Sequence, residues 1–220
     1  MQVSDARLAT ARSNMVDGQI RPSKVTDVAI VDAFRDVPRE AFAPSRFHAV
    51  AYVDEALPFG GGRHLMEPVV LARLLQAAQP RPDDRALIVG GGTGYSAAIL
   101  ARLVGTVIVV EDDATLLTQA RAQLAGLRNV TVRQGALVDG AADAAPFDVI
   151  LIDGAVERIP AALDAQLAES GRLVTVRRES GTLGRAILRE RDAGALSSLV
   201  LFDAGTPLLP GFEQAQEFVL

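Results

Sequence analysis

The stretch Ala86-Leu-Ile-Val-Gly-Gly-Gly-Thr-Gly-Tyr95 decides the fold of this chain. An apolar run ends in a cluster in which Gly90, Gly92 and Gly94 stand at alternate positions, and a helix-like run over Ser96–Leu103 follows at once. A strand, a glycine turn and a helix bring backbone close to a nucleotide-like ligand, because glycine turns sharply and leaves room beside the chain. The N-terminus of the helix adds unpaired N–H groups. The stretch therefore predicts a ligand-binding loop, with a purely structural turn as the alternative.

The spacing of these glycines distinguishes two cofactor classes. A dinucleotide-binding fingerprint reads GxGxxG. Here the third glycine comes one residue early, which gives GxGxG, and Tyr95 stands where the last glycine of the fingerprint would be. The spacing favours a loop for the methyl donor S-adenosylmethionine, with Tyr95 beside it, over a nicotinamide loop.

Composition limits the class of protein. Of the 220 residues, 49% are hydrophobic but only 5% are aromatic, so the core must consist of Ala, Leu, Val and Ile, as in a parallel sheet buried on both faces. The formal net charge of −5 and the absence of a clustered basic face argue against nucleic-acid binding. Without cysteine there is no disulfide framework, thiolate metal site or thiol nucleophile. A polar N-terminus and the lack of any long apolar run predict a cytoplasmic protein with no membrane segment.

The order of patterns predicts one α/β domain over residues 1–220. Residues 1–50 read as a helical layer with helices at Ala6–Met15, after a cap at Thr26 or Asp27, and in a short segment over Arg39–Ala49. Strands and helices alternate over residues 85–177, which predicts a doubly wound parallel sheet whose strand ends share one ligand-binding edge. Residues 178–220 are expected to add strands at Ser198–Phe202 and Gln216–Val219, while residues 185–191 have no clear pattern.

Residues 51–68 lack the period of either helix or strand. The segment contains two prolines and three consecutive glycines, and long irregular segments in compact domains are usually functional or disordered. Its apolar Leu57, Phe59 and Leu65 argue against disorder, so we expect a lid that contacts the substrate. His64 is its candidate for a group that titrates near neutral pH, with an exposed histidine of no role as the alternative. The substrate-contacting candidates in this lid are Asp54, Gly60, Gly61, His64 and Met66.

Two acids and one turn complete the candidate site. Glu111 ends the second strand of the core, where its two oxygens could accept the vicinal hydroxyls of a ribose, although a solvated acid is the alternative. Ala136 and Leu137 follow the third strand, where an adenine ring would lie. Asp153 ends the fourth strand and could be a base, a hydrogen-bond acceptor or only a turn cap. No second acid or histidine has metal-ligand spacing to Asp153, so no metal site is expected.

The chain resembles the protein-L-isoaspartate O-methyltransferase family over roughly residues 15–176. The resemblance implies a seven-stranded, Rossmann-like methyltransferase fold with an antiparallel strand near its end, and S-adenosylmethionine as methyl donor. It also implies methylation of the free carboxylate of isoaspartyl residues in damaged proteins or peptides. The matching stretches, in order, are Met15-Val16, Gln19-Ile-Arg21, Val37–Pro44, Ala51-Tyr-Val-Asp54, Leu57-Pro58, Gly90–Tyr95, Ala145–Asp148, Ile159-Pro160 and Gly171–Val174.

Departures from the family pattern fall at the expected site. Met66 stands where the lid usually carries a serine or threonine beside the substrate carboxylate. Ile88 and Ala136 replace two acids of the donor site, while Glu111 is kept and Asp153 replaces a small or hydroxyl residue. The leading hypothesis is an isoaspartyl-type methyltransferase. The alternatives are a methyltransferase with another acceptor, a catalytically silent member that binds a partner and, more distantly, a nicotinamide dehydrogenase.

Overall fold

The N-terminal residues form a helical layer beside the sheet. A computed structural model describes residues 4–179 and 181–213. Helix α1 (Asp5–Met15) continues into a π-helical turn (Val16–Ile20), and α2 (Val28–Asp36) begins at Asp27, whose side chain accepts the N–H of Ile30 at 3.1 Å. The cap of α2 is thus Asp27 and not Thr26. Two 3-10 turns, Arg39–Phe42 and Ser45–Val50, stand where one short helix is predicted.

The lid is more regular than its sequence indicates. Strands β1 (Leu57–Gly60) and β2 (Arg63–Leu65) pair in an antiparallel hairpin, where the sequence predicts a loop with some extended character. The buried Arg39 holds both ends of the lid, because its Nε donates to the carbonyl of Ala51 at 2.7 Å and its Nη2 to that of Met66 at 2.8 Å. A short hairpin on a fixed base is therefore placed over the sheet.

A seven-stranded sheet forms the centre of the molecule. The elements after the lid are α3 (Pro68–Ala78), β3 (Arg85–Val89), α4 (Tyr95–Leu100), β4 (Thr106–Glu111), α5 (Ala114–Leu124), β5 (Val130–Gln134), β6 (Phe147–Val156), α6 (Ala161–Ala165), β7 (Leu167–Arg177), β8 (Gly184–Asp192) and β9 (Ala195–Ala204). The strand order in the sheet is β5-β4-β3-β6-β7-β8-β9. The strands from β5 to β7 in this order are parallel, β8 is antiparallel to β7, and β9 is antiparallel to β8, which confirms the doubly wound α/β fold.

The C-terminal part contains one strand for which the sequence makes no prediction. The segment without a clear pattern is strand β8, which forms a hairpin with β9, and β9 contains the predicted strand Ser198–Phe202. The predicted strand Gln216–Val219 lies outside the described residues. After β9, residues 205–213 cross the carboxyl end of β6, and we call this segment the strap. Its backbone pairs with β6 through the N–H of Ala155 to the carbonyl of Pro207 at 2.9 Å and the N–H of Leu209 to the carbonyl of Ala155 at 2.8 Å.

Apolar side chains cover both faces of the central strands. The strands β3 and β6 are buried almost throughout, as expected for a parallel sheet between helical layers. One face packs against the N-terminal helices and α3, and the other against the region around Leu137 and Leu163. Within residues 4–179 and 181–213, every helix is too short or too polar to cross a bilayer.

Candidate active site

The glycine loop lies directly after the central strand β3. Gly90, Gly92 and Gly94 all adopt positive φ angles, of 75°, 57° and 100°, which side chains strongly disfavour. At Gly94 a Cβ atom would also stand 2.7 Å from Leu124 of α5, closer than packing permits. These positions therefore require glycine for both conformation and space. The loop leads straight into α4, as the sequence predicts.

Glu111 is fixed at the carboxyl end of β4, next to this loop. Its side chain is fully buried. Its oxygens accept three backbone N–H groups, from Gly92 at 2.8 Å and from Asp112 and Asp113 at 3.0 Å each. A carboxylate with this many donors is held in one orientation, because each bond to a charged acceptor is stronger than a neutral one. The candidate ribose acceptor is thus positioned by the glycine loop itself.

Arg63 of the lid also binds this carboxylate. Its Nη1 and Nη2 atoms donate to the two oxygens of Glu111 at 2.6 and 2.7 Å, and Nη1 donates to Asp112 at 2.9 Å. Arg63 and Glu111 are 6% and 0% exposed, whereas Asp112 is 49% exposed. Sequence reasoning did not identify Arg63, although it is the only Lys or Arg in residues 51–68.

Two apolar side chains fill the space along the glycine loop. A Cβ atom added at Gly90 would lie 2.9 Å from Cδ2 of Leu209, and one added at Gly92 would lie 2.9 Å from Cε2 of Phe59. Leu209 also covers Gly154 at the end of β6, where an added Cβ would be 2.9 Å away. The cradle made by the glycines is therefore occupied by a lid residue and a strap residue. No local sequence pattern indicated Leu209, because the strap reaches the glycine loop only through the fold.

The predicted acceptor residues meet between lid and strap. His64, Met66, Asp153 and Thr206 border a cavity of 10 Å³, about the space of one water molecule. Met66 is buried, and the hydroxyl of Thr206 donates to the carboxylate of Glu67 at 2.9 Å. His64 is half-buried, with its Nδ1 3.1 Å from the carbonyl oxygen of Gly62. A hydroxyl is therefore present on this side, but the strap supplies it and not the lid.

Asp153 is the candidate acid on the acceptor side. It is 8% exposed, and its Oδ1 has no hydrogen-bond partner among the described residues. Burial raises the pKa of Asp153 to about 6, while the neighbouring Ser96 hydroxyl and the charges of Arg63 and Arg39 lower the pKa. The carboxyl group can therefore lose or gain a proton close to neutral pH.

Other predicted site residues take structural positions. The ring of Tyr95 packs against Phe34 and lies 5.1 Å from the Arg39 guanidinium, so only the backbone of Tyr95 belongs to the loop. Burial raises the pKa of the Tyr95 hydroxyl to about 12.

The two residues predicted beside the adenine ring differ in exposure. Leu137 is buried in the core, whereas Ala136 is exposed after β5. The remaining lid candidates lie at the exposed hairpin tip, Gly60 and Gly61, or at the start of α3, where Asp54 accepts the N–H of Val69 at 3.1 Å.

Metal-binding clusters are absent from the part of the chain that the structure describes, since no three acids or histidines there are close enough to hold an ion. The features that are present are a glycine loop after the central strand, a buried acid at the end of the next strand and a doubly wound sheet. Together with the GxGxG spacing of the loop and the antiparallel strand β8 near the end of the sheet, they agree with the S-adenosylmethionine-dependent methyltransferase class of fold.

Comparison with known proteins gives the family. The sequence model of protein-L-isoaspartate(D-aspartate) O-methyltransferase matches residues 10–193. A protein-L-isoaspartate O-methyltransferase of Koribacter versatilis is 41% identical over 82% of this chain and 87% of its own. One from Methylorubrum extorquens is 44% identical over 84% of this chain and 82% of its own. The chain belongs to this family of methyltransferases, as its sequence motifs predict.

Solved structures agree on the fold. A protein-L-isoaspartate O-methyltransferase structure aligns with a TM-score of 0.78 and 25% identity, covering 91% of this chain and 66% of that longer chain. A Plasmodium falciparum structure in complex with S-adenosyl-L-homocysteine aligns with a TM-score of 0.77 and 18% identity, over 90% of this chain and 97% of its own. The strap follows the family match, which ends at residue 193.

Proposed function

We propose that this protein transfers a methyl group from S-adenosylmethionine to the free carboxylate of isoaspartyl residues in proteins or peptides. The observation that carries the proposal is Glu111, a buried carboxylate held by Gly92 of the glycine loop at the end of β4. Family membership supports the same donor and acceptor. The silent-member, other-acceptor and dehydrogenase alternatives have no comparable support.

The site fits the donor on the chemistry of its own residues. Glu111 offers two acceptor oxygens to the two hydroxyls of a ribose, and the paired N–H groups of Arg63 already engage both oxygens at 2.6 and 2.7 Å. Gly90 and Gly92 leave a cradle without Cβ atoms along the loop, and the side chains of Leu209 and Phe59, which fill it in this structure, must move aside for a donor. Ala136 and Leu137 follow β5, which pairs with β4 at Glu111, and we expect the adenine ring near the exposed Ala136.

The transfer needs positioning more than acid–base chemistry. With the donor bound, the acceptor carboxylate oxygen forms a bond to the sulfonium methyl carbon as the methyl–sulfur bond breaks, and a methyl ester and S-adenosylhomocysteine result. A carboxylate is already a nucleophile at neutral pH, so no residue must remove a proton. The protein's task is to hold the carboxylate in line and exclude water, which an oriented site can do with a large gain in rate.

Lid and strap residues are placed to perform this task. Met66 and His64 come from the lid, Thr206 from the strap and Asp153 from the end of β6, so three elements enclose the acceptor side. When protonated, Asp153 could donate a hydrogen bond to the substrate carboxylate. When ionised, it would repel it. The protonation state of Asp153 would therefore decide whether it attracts or repels the acceptor, and the reaction does not require it as a base.

A pair of matched peptides tests this function. One peptide contains an isoaspartyl residue and the other contains aspartate at the same position, and both are incubated with radiolabelled S-adenosylmethionine. We expect base-labile label on the isoaspartyl peptide only. Donor binding without transfer to either peptide would refute the isoaspartyl assignment and favour another acceptor.

A further inference from the structure

Arg63 makes the closest polar contacts to the presumed ribose acceptor. It reaches Glu111 from the lid, 48 residues away in sequence, and both side chains are almost completely buried. The guanidinium also lies against the glycine loop, because a Cβ atom added at Gly90 would be 3.3 Å from Nη2. A guanidinium fork on a carboxylate is a geometrically specific contact. Arg63 is therefore seated in the donor site.

A donor whose ribose binds Glu111 would compete with Arg63 for this carboxylate. Both would use the two oxygens of Glu111, and both would lie against Gly90. When Arg63 leaves, Glu111 keeps its three backbone N–H donors, so the carboxylate is not left without partners. Ribose hydroxyls then take the place of the two guanidinium N–H groups. This exchange makes displacement possible and couples the lid to the donor.

A displaced Arg63 is the lid's available cation for an anionic substrate. No other Lys or Arg occurs in residues 51–68, and Arg63 precedes His64 and Met66, which border the acceptor cavity. Arg39 below the lid is fully buried and bound to the backbone of Ala51 and Met66. The half-exposed Asp112, which also binds Arg63, lets the guanidinium remain near the mouth of the site.

We propose that Arg63 has two partners in turn: Glu111 before the donor binds, and the carboxylate of the acceptor afterwards. This rests on the proposed function, and it makes binding ordered, with the donor first. Arg63 closes the donor site in the free protein and becomes the acceptor-specificity residue once the ribose holds Glu111. The family's lid usually places a serine or threonine hydroxyl beside the substrate carboxylate, and here Met66 stands at that position. The charge of Arg63 would take over this recognition.

The variant Arg63→Gln separates this proposal from a structural role. It removes the competitor for Glu111, so S-adenosylhomocysteine should bind about tenfold or more tightly in calorimetry. It also removes the cation, so KM for the isoaspartyl peptide should rise about tenfold while kcat changes little. Arg63→Lys keeps the charge without the fork, and should tighten S-adenosylhomocysteine binding with a smaller rise in KM. Arg128→Gln, at an exposed position before β5, is the matched control and should change neither.

Two results would overturn the proposal. The first is unchanged or weaker S-adenosylhomocysteine binding by both Arg63 variants. The second is tighter binding with an unchanged KM for the peptide, which would remove the acceptor role. Failure of the proposed function gives a different pattern, because the wild-type protein would then methylate neither peptide even at saturating donor. Thermal unfolding of each variant checks that the protein remains folded.

Discussion

Asp153 is an ionisable residue beside the glycine loop that is almost completely shielded from solvent. Burial is the main reason that its pKa rises from 3.8 to about 6, against the opposing charges of Arg63 and Arg39. The folded protein therefore binds a proton at Asp153 over a pH range in which the unfolded chain has lost it. A buried carboxyl with this property stabilises the fold less as it ionises.

The free energy of unfolding should therefore decrease as the pH rises through the range in which Asp153 ionises. The contribution is complete below about pH 4 and is lost as the pH rises through about 6, with a total of up to about 3 kcal/mol for a shift of roughly two pKa units. In urea unfolding, Asp153→Asn should gain stability relative to the wild-type protein as the pH increases from 4 to 7. A difference between the two proteins that stays constant over this range would show that Asp153 does not titrate as described.

The sequence indicated one partner of the central ion pair but not the other. Glu111 was recognisable because it ends a strand at a fixed distance from a glycine loop, a local pattern. Arg63 belongs to a segment without a period, and its contact with Glu111 depends on how the lid folds over the sheet. The one sequence feature that could have indicated Arg63 is that no other Lys or Arg occurs in the lid. Such long-range contacts are not encoded in spacing.

Among the elements, the strap is the least expected part of the site. Leu209 is 3% exposed and packs against Gly90 and Gly154, the two glycines that border the site from β3 and β6. The strap is held by backbone hydrogen bonds to β6 and by the bond from Thr206 to Glu67 of the lid. Lid and strap therefore close the glycine loop together, from opposite ends of the sequence.

Shortening Leu209 should weaken the fold yet favour the donor. Leu209→Ala is expected to cost about 2–5 kcal/mol in the free energy of unfolding, the range for buried leucines. The same change clears the cradle at Gly90, so S-adenosylhomocysteine affinity should rise about threefold to tenfold as the open state gains population. Calorimetry and urea unfolding measure the two effects.

The control for this experiment is Leu188→Ala in β8, which is also buried but does not touch the glycine loop. It should lower stability without improving S-adenosylhomocysteine affinity. If Leu209→Ala binds S-adenosylhomocysteine no better than Leu188→Ala, the strap does not compete with the donor.

Elements with a strong local pattern were predictable, and those made by pairing were not. The strands Thr106–Glu111 and Val130–Gln134 agree with prediction because alternation with helices marks each parallel strand. The hairpin of β1 and β2 was expected as a loop, since three glycines interrupt its apolar residues. Strand β8 carries five charged residues in nine, and pairing with β7 and β9 determines its conformation.

The N-terminal layer, the lid and the strap all meet at one edge of the sheet. Arg39 from the N-terminal layer holds the lid, and Tyr95 at the start of α4 packs against that layer. A ligand that enters the edge must therefore act on several parts of the chain. A ligand that binds only the folded state should therefore raise the free energy of global unfolding.

Thermal unfolding should reveal the order of binding. At about 100 times its dissociation constant, S-adenosylhomocysteine should add about 2.7 kcal/mol, or roughly 5–10 °C for a chain of this size. The isoaspartyl peptide alone should leave the midpoint nearly unchanged, because Arg63 is then bound to Glu111. With S-adenosylhomocysteine present, the peptide should raise the midpoint further. An equal shift by the peptide in the presence and absence of S-adenosylhomocysteine would contradict ordered binding.

The most direct measurement is a calorimetric titration of S-adenosylhomocysteine into the wild-type protein, Arg63→Gln, the double variant Arg63→Gln/Glu111→Gln and, as control, Asp112→Asn. We predict one site per wild-type chain. The double variant should bind at least about tenfold more weakly than Arg63→Gln, because hydrogen bonds to a charged acceptor are lost while no guanidinium competes for position 111 in either protein. The control should bind no more weakly than the wild-type protein, since the half-exposed Asp112 holds only Arg63. No binding of millimolar ligand to the folded wild-type protein, or equal affinity of Arg63→Gln and the double variant, would contradict this prediction.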